Sequence, residues 1–143
     1  MRRVIITALK ILLVAIGILV LVVAGVILLD TVFPSQRVTD FTNVTFTDDG
    51  GATHHAYLSK PDGAGPHPGV LLIHEFFGLN ADIVAKADIL AREGYTVLAV
   101  DAYGGKTTQQ VPRAILFVTA TPQERINRNV DAGYAYLAGL EGV

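Results

Sequence analysis

The stretch that most restricts the fold is Gly69-Val70-Leu71-Leu72-Ile73-His74-Glu75-Phe76-Phe77-Gly78-Leu79-Asn80. A continuous apolar run of strand length ends abruptly in a His-Glu pair, two aromatics and a glycine, and a helical pattern follows. Val70 to Ile73 has the β-branched content of a strand buried on both faces, as in a parallel sheet covered by helices. In such sheets chemistry sits just past the carboxyl ends of the strands, which is where His74 and Glu75 fall. Asn80 is suited to N-cap the next element. The reading is strand, functional turn, helix.

A second constraint lies at the amino terminus. From Ile11 to Leu29 nothing is charged or strongly polar. As a helix these nineteen residues would span roughly 28 Å, close to the ~30 Å of a bilayer core. A cleaved signal peptide also begins with a basic end, but its apolar region is shorter and is followed by a small-x-small site. Leu28-Leu29-Asp30 offers no such site, so an uncleaved anchor is expected. Arg2, Arg3 and Lys10 precede the run and Asp30 follows it, which puts the amino terminus in the cytoplasm. The expected organisation is a basic cytoplasmic end (1–10), a transmembrane helix (11–30), a tether (31–37) and one domain (38–143). That domain would lie on the periplasmic or extracellular side.

Within the domain, Val44 and Phe46 alternate with Thr45 and Thr47 as in a half-buried strand. Asp48-Asp49-Gly50-Gly51 marks a tight turn, and Ala52 to Ser59 returns as a second strand. Pro61 to Pro68 must be a surface loop. After the central turn Ile83, Val84, Ala87, Leu90 and Ala91 recur at helical spacing, and Gly94 stops the helix. Thr96 to Val100 is a further strand ending in Asp101, completing a βαβ unit. The segment from Tyr103 to Ala120 reads as a loop. Thr121-Pro122-Gln123-Glu124 predicts a capping box with proline at N1, and Ile126, Val130, Tyr134 and Leu137 one apolar helix face. The fold class expected is α/β: an antiparallel hairpin leading into a parallel βαβ sheet, preceded by a single transmembrane helix.

The net charge of −2 and the lack of a basic cluster beyond the amino terminus argue against a nucleic-acid partner. With no cysteine there are no disulfides, thiolate metal sites or cysteine nucleophile. HEFFG is not the zinc-protease pattern, since Gly78 stands where the second histidine should be. His74 reads as a structural residue at a strand end. His54 and His55 alternate on a strand, which sends their rings to opposite faces and disfavours joint metal binding. No metal or cofactor is expected.

The HEFFGLN block, followed by AREGYTVLAVDAYG, resembles the amino-terminal part of the dienelactone hydrolase family. These are α/β-hydrolase-fold enzymes that open lactones and esters, usually with a cysteine nucleophile. The resemblance runs from about Val38 to the end. It implies a small-molecule ester or lactone substrate and roles for three residues. Glu75 would sit beside the nucleophile and modulate its protonation. The backbone N–H of Phe76 would contribute to the oxyanion hole. Arg125 would hold a substrate carboxylate. Beside these stand blander readings: a salt-bridged surface acid for Glu75 and a solvated helix arginine for Arg125. Asp101 would shape the site and cap the following turn.

The serines, Ser35 and Ser59, are in no G-x-S-x-G elbow, and the triad acid and base of the family would come later still. The expectation is therefore a membrane-anchored hydrolase represented by a truncated chain, inactive alone. The alternative is a non-catalytic tethered binding module built on half of such a fold. In the family's strand order the nucleophile strand pairs with Val70–Ile73, so without it that strand has an open apolar edge. Substrate identity and oligomeric state are not legible.

Overall fold

The computed structural model describes residues 2–32, 36–63 and 65–143; the centre of the expected tether, 33–35, and Ala64 of the Pro61–Pro68 loop lie outside them. The chain divides into two units, Met1–Ser35 and Gln36–Val143.

The first unit is one helix, α1 (Arg2–Val32). Within it Arg3–Val26, 24 residues with a mean hydropathy of 2.9, is long and apolar enough to cross a membrane. The helix takes in the basic end as well as the apolar run. An anchor and a signal sequence both fit it by length and composition.

The second unit begins with a single 3-10 turn, Val38–Phe41. Strands β1 (Val44–Thr47) and β2 (Thr53–Ser59) form an antiparallel hairpin, with Val44 opposite Ala56 and Thr47 opposite Thr53. Its turn is closed by Asp48, whose carbonyl accepts from Gly51 N–H at 2.9 Å and whose carboxylate accepts from Ala52 N–H at 2.8 Å. Strand β3 (Gly69–Ile73) follows, then helix α2 (Ala81–Arg92) and strand β4 (Thr96–Val100). The sheet order is β1-β2-β4-β3, antiparallel between β2 and β4 and parallel between β4 and β3. Helix α2 starts as expected: Asn80 Oδ1 accepts from the N–H groups of Asp82 and Ile83 at 3.0 and 3.2 Å. It ends at Gly94, whose φ of +97° supplies the left-handed turn.

Two helices cover the two faces. Helix α2 presses Ile83 against Ala99 and Leu79, with Val38 in the same cluster. Helix α4 (Gln123–Ala138) covers the other face, where Leu137 meets Leu98, Val100, Ala56 and Phe46. Side chains alternate along β4, so covering both faces buries every one of its residues. Each large apolar side chain so buried is worth roughly 1.5–3 kcal/mol.

Four expectations need correction. The strand buried on both faces is β4, whereas β3 is half-buried and its Ile73 is 49% exposed. Among the described residues β3 pairs only with β4 and so stands at the sheet's edge. The stretch read as loop to Ala120 contains a helix, α3 (Val111–Ala120), with Pro112 in its first turn. No capping box opens α4: its N-cap is Pro122, and the buried Thr121 instead donates its N–H to Phe117 O, finishing α3. Finally, the inward row of α4 is Asn129, Gly133 and Leu137, and Tyr134 is exposed.

Gly133 lets α4 approach the sheet, because a Cβ there would run into Val100 Cγ1 and lie 3.3 Å from Leu71 Cδ1. Helix propensity alone favours alanine by about 1 kcal/mol, whereas overpacking costs about 1–3 kcal/mol. Gly133→Ala should therefore lower the urea unfolding midpoint of the domain. A raised midpoint would show that α4 is not held this close.

Candidate functional site

The site is built where β3 and β4 end side by side. Past Ile73 the chain enters a β-turn closed by Gly78 N–H donating to Glu75 O at 3.1 Å. Gly78 has φ +87°, and a Cβ on it would meet Lys106 O and Thr107, so the position requires glycine on two counts.

His74 is buried and ties the two strand ends together. Its Nδ1 lies 2.8 Å from Glu75 O, and its Nε2 is 3.0 Å from the backbone N of Ala102. Ala102 N–H must donate, so Nε2 accepts and Nδ1 carries the proton: the ring is neutral. Burial pushes its pKa down from the ordinary 6.5, outweighing the opposing pull of Glu75 O and of Asp101, whose carboxylate is 3.9 Å from Nε2.

Glu75 O thus accepts twice, from His74 Nδ1–H and from Gly78 N–H. The Glu75–Phe76 peptide bond is trans, so anchoring its carbonyl aims the Phe76 N–H the opposite way. Among the described residues that N–H donates to no group. The Phe76 carbonyl accepts from Tyr103 Oη at 3.4 Å, and the Phe76 ring packs edge-on against Phe77 at 5.2 Å.

The Glu75 carboxylate is exposed and ion-paired with Lys86 of α2, Nζ to Oε1 2.5 Å. The Lys86 ammonium holds its pKa below the usual carboxylate value of 4.5, so Glu75 is anionic through the neutral range. Pairing at such an exposed position is strongly screened.

The loop after β4 is organised by Asp101. Its carboxylate accepts from Tyr103 N–H at 3.0 Å and from Gly105 N–H, and its carbonyl accepts from Asn129 Nδ2 at 2.8 Å. Asp101 therefore caps the turn. The same loop holds the aromatic turn, because Thr108 N–H and Thr107 Oγ1 both donate to Phe77 O, at 3.0 and 3.2 Å.

Glu75 and Phe76 are thus brought together with His74, Asp101 and Tyr103. Arg125 is on the far side of the Asp101 loop, in a groove that Asp101 also lines. It is exposed at the start of α4, over Gly104, in an open groove of about 1180 Å³ that it shares with Arg37 and Arg128. That groove's lining includes neither Glu75 nor Phe76. Ser59, the one serine among the described residues, donates to Asp88 of α2 at 2.7 Å, a contact that ties β2 to α2. His54 stacks on Phe46 and meets Asp48 at 3.1 Å, while the His55 carbonyl accepts from Asp101 N–H. Sequence reasoning gave no role to Lys86, Tyr103 or Asn129; Tyr103 carried a signal, its place in the D-x-Y-G block.

A mixed sheet covered by a helix on each face, with a glycine-closed turn at a parallel strand's carboxyl end, defines an α/β fold of the hydrolase type. The chain belongs to the dienelactone hydrolase family, whose model matches residues 54–142. A protein of Azospirillum brasilense provisionally named carboxymethylenebutenolidase is 32% identical over 94 residues, covering 66% of this chain and 36% of that protein. The solved structure named m3DLH aligns with a TM-score of 0.58 and 27% identity, over 70% of this chain and 43% of that one. A Klebsiella pneumoniae protein provisionally named dienelactone hydrolase aligns with a TM-score of 0.56 and 26% identity, over 67% of this chain and 45% of that one. The chain spans less than half the length of each of these relatives.

The neutral ring of His74 makes stability depend on pH. Its folded pKa lies below its unfolded value, so between the two the unfolded chain binds more protons. The stabilisation is present in full above about 6.5 and is lost as pH falls through the depressed value. Asp48 and Glu75, also held low, contribute above their ordinary values near 4 and lose that only below them. Thermal unfolding should therefore show a falling Tm between neutral pH and pH ~5, and His74→Gln should flatten that slope. An unchanged slope in the variant would contradict the assignment of a neutral, buried His74 as its source.

Proposed function

We propose that this chain supplies the membrane-anchored, oxyanion-binding side of an ester or lactone hydrolase. The observation that carries the reading is the Phe76 N–H, turned outward by the double anchoring of Glu75 O at the carboxyl end of β3. A backbone donor held this way needs no reorganisation when negative charge develops on a carbonyl oxygen in the transition state. Glu75 is the second element. As an anion it disfavours ionisation of a neighbouring thiol or hydroxyl, and so holds a nucleophile at this strand end in its protonated form. The exposed pairing with Lys86 is weak enough to be exchanged for that contact.

The nucleophile itself is not among these 143 residues: there is no cysteine, and neither serine stands in an elbow sequence. The open edge of β3 supports a nucleophile-bearing strand pairing there. Arg125 enters the proposal only as a more distant anion-binding group, since the groove it lines reaches Asp101 but neither Glu75 nor Phe76. The anchor is α1, with its amino terminus in the cytoplasm, the orientation that the one-sided basic flank favours. The domain then works on the periplasmic or extracellular side, on small-molecule substrates and without a metal or cofactor.

The 143-residue chain should hydrolyse p-nitrophenyl acetate and simple lactones no faster than background. Joined in one polypeptide to a segment bearing a G-x-C-x-G or G-x-S-x-G elbow, it should gain activity. In that protein Glu75→Ala should lower kcat and shift the pH–rate profile while leaving Tm nearly unchanged. An active protein whose rate and pH profile ignore Glu75→Ala would remove Glu75 from the mechanism and leave the fold assignment intact.

A further inference from the structure

The open groove of about 1180 Å³ lies between the β1–β2 hairpin and helix α4, with the loop after β4 at its side. Much of its hairpin wall, between Arg37 and Thr53, precedes residues 54–142, which match the family model. The groove is therefore built in part outside the matched region.

Three exposed arginines line it, and the ion pairs among the described residues involve none of them. Two of the three flank one short loop. Arg37 is bridged through its backbone to Lys106, and Arg125 lies over Gly104, where a Cβ would stand 3.4 Å from its Nη1. Arg128 follows Arg125 by one turn, on the same side of α4. A guanidinium is a planar fork of donors that matches phosphate oxygens bidentately. Arginines left without carboxylate partners beside a groove are suited to an oxyanion from outside the chain.

The acids of the groove restrict what that oxyanion is attached to. Asp48 accepts from Ala52 N–H and meets His54, and Asp101 accepts from Tyr103 and Gly105 N–H, so both are engaged within the protein. Asp49 and Asp131 are exposed and have no such partner among the described residues. Asp40 and Glu124 stand near Arg37 and Arg125 in sequence but do not line the groove. One guanidinium fork fills the two oxygens of a carboxylate, whereas the three terminal oxygens of a phosphate monoester accept from several forks at once. Asp49 and Asp131 accept hydrogen bonds only, so the organic part of the ligand must bring hydroxyl or amine donors. Its body has an aromatic wall to lie on, the Phe46–Tyr136 stack at 4.6 Å, and the volume exceeds what a phosphate group alone needs.

We propose that this groove is a second binding site, for a soluble phosphate monoester whose organic part carries hydroxyl or amine groups. Arg37, Arg125 and Arg128 hold the phosphate. The proposal does not depend on the hydrolytic reading, because the groove includes neither Glu75 nor Phe76.

The full-length chain in neutral detergent micelles is titrated calorimetrically with glycerol phosphate at fixed ionic strength, with acetate as the comparison anion. The expected result is saturable binding at one site, roughly tenfold or more tighter than any binding of acetate. Arg37→Gln and Arg128→Gln should each weaken it by roughly tenfold and leave the ligand-free Tm unchanged, since both side chains are exposed and unpaired. Asp131→Asn should tighten it by removing a like charge. Glu75→Ala should leave it unaltered, so failure of the hydrolytic mechanism and failure of this site are read separately. Binding that does not saturate, an affinity no better than that of acetate, or arginine variants that bind as the parent chain does would each overturn the proposal.

Discussion

One imidazole joins the two strand ends on which the site depends. His74 donates to the carbonyl of the next residue and accepts from Ala102 N–H across the strand boundary. It can do both only when neutral, and burial, with Tyr103 of the loop packed edge-on against the ring, favours that form. Because Glu75 O is consumed by this bond and by the turn closure, the geometry of the trans peptide directs the Phe76 N–H away from the protein's own acceptors. The proposed oxyanion donor is thus set by a residue that need not touch substrate. In that proposal His74 is a positioning residue.

The remainder of the domain holds that peptide still. Asp101 gathers the backbone after β4 through its carboxylate and is itself fixed by Asn129 from α4. The gathered loop then grips Phe77 O through Thr107 and Thr108, and Gly78 gives the clearance for it. The site is thus hydrogen-bonded into the loop after β4 and open along β3, the side on which the proposal puts its nucleophile.

Much of this was legible in the sequence because local chemistry agreed with the fold. Asn80 before a helical pattern, Gly94 after it and the Asp-Gly turn at Asp48 each have a mechanism that needs no tertiary context. Helix α3 was hidden because its outward face is as apolar as its inward one, which erases the helical period. The row on α4 was misread for the opposite reason. An apolar filter picks Tyr134 and passes over Asn129 and Gly133, which are buried for a hydrogen bond and for a close approach. The edge position of β3 was expected from the family's strand order and not from its own residues, since apolar content does not reveal which neighbours a strand has. Lys86 was missed because its pairing with Glu75 spans two elements.

Amide hydrogen exchange resolved by residue tests the central claim most directly, because it reports whether each N–H is engaged. The account predicts slow exchange at Ala102, Gly78 and Thr108, all of which donate within the site, beside fast exchange at Phe76 in the same rigid turn. Protection of the Phe76 amide equal to that of Gly78 would mean that the donor is already occupied, and would contradict its assignment to the oxyanion.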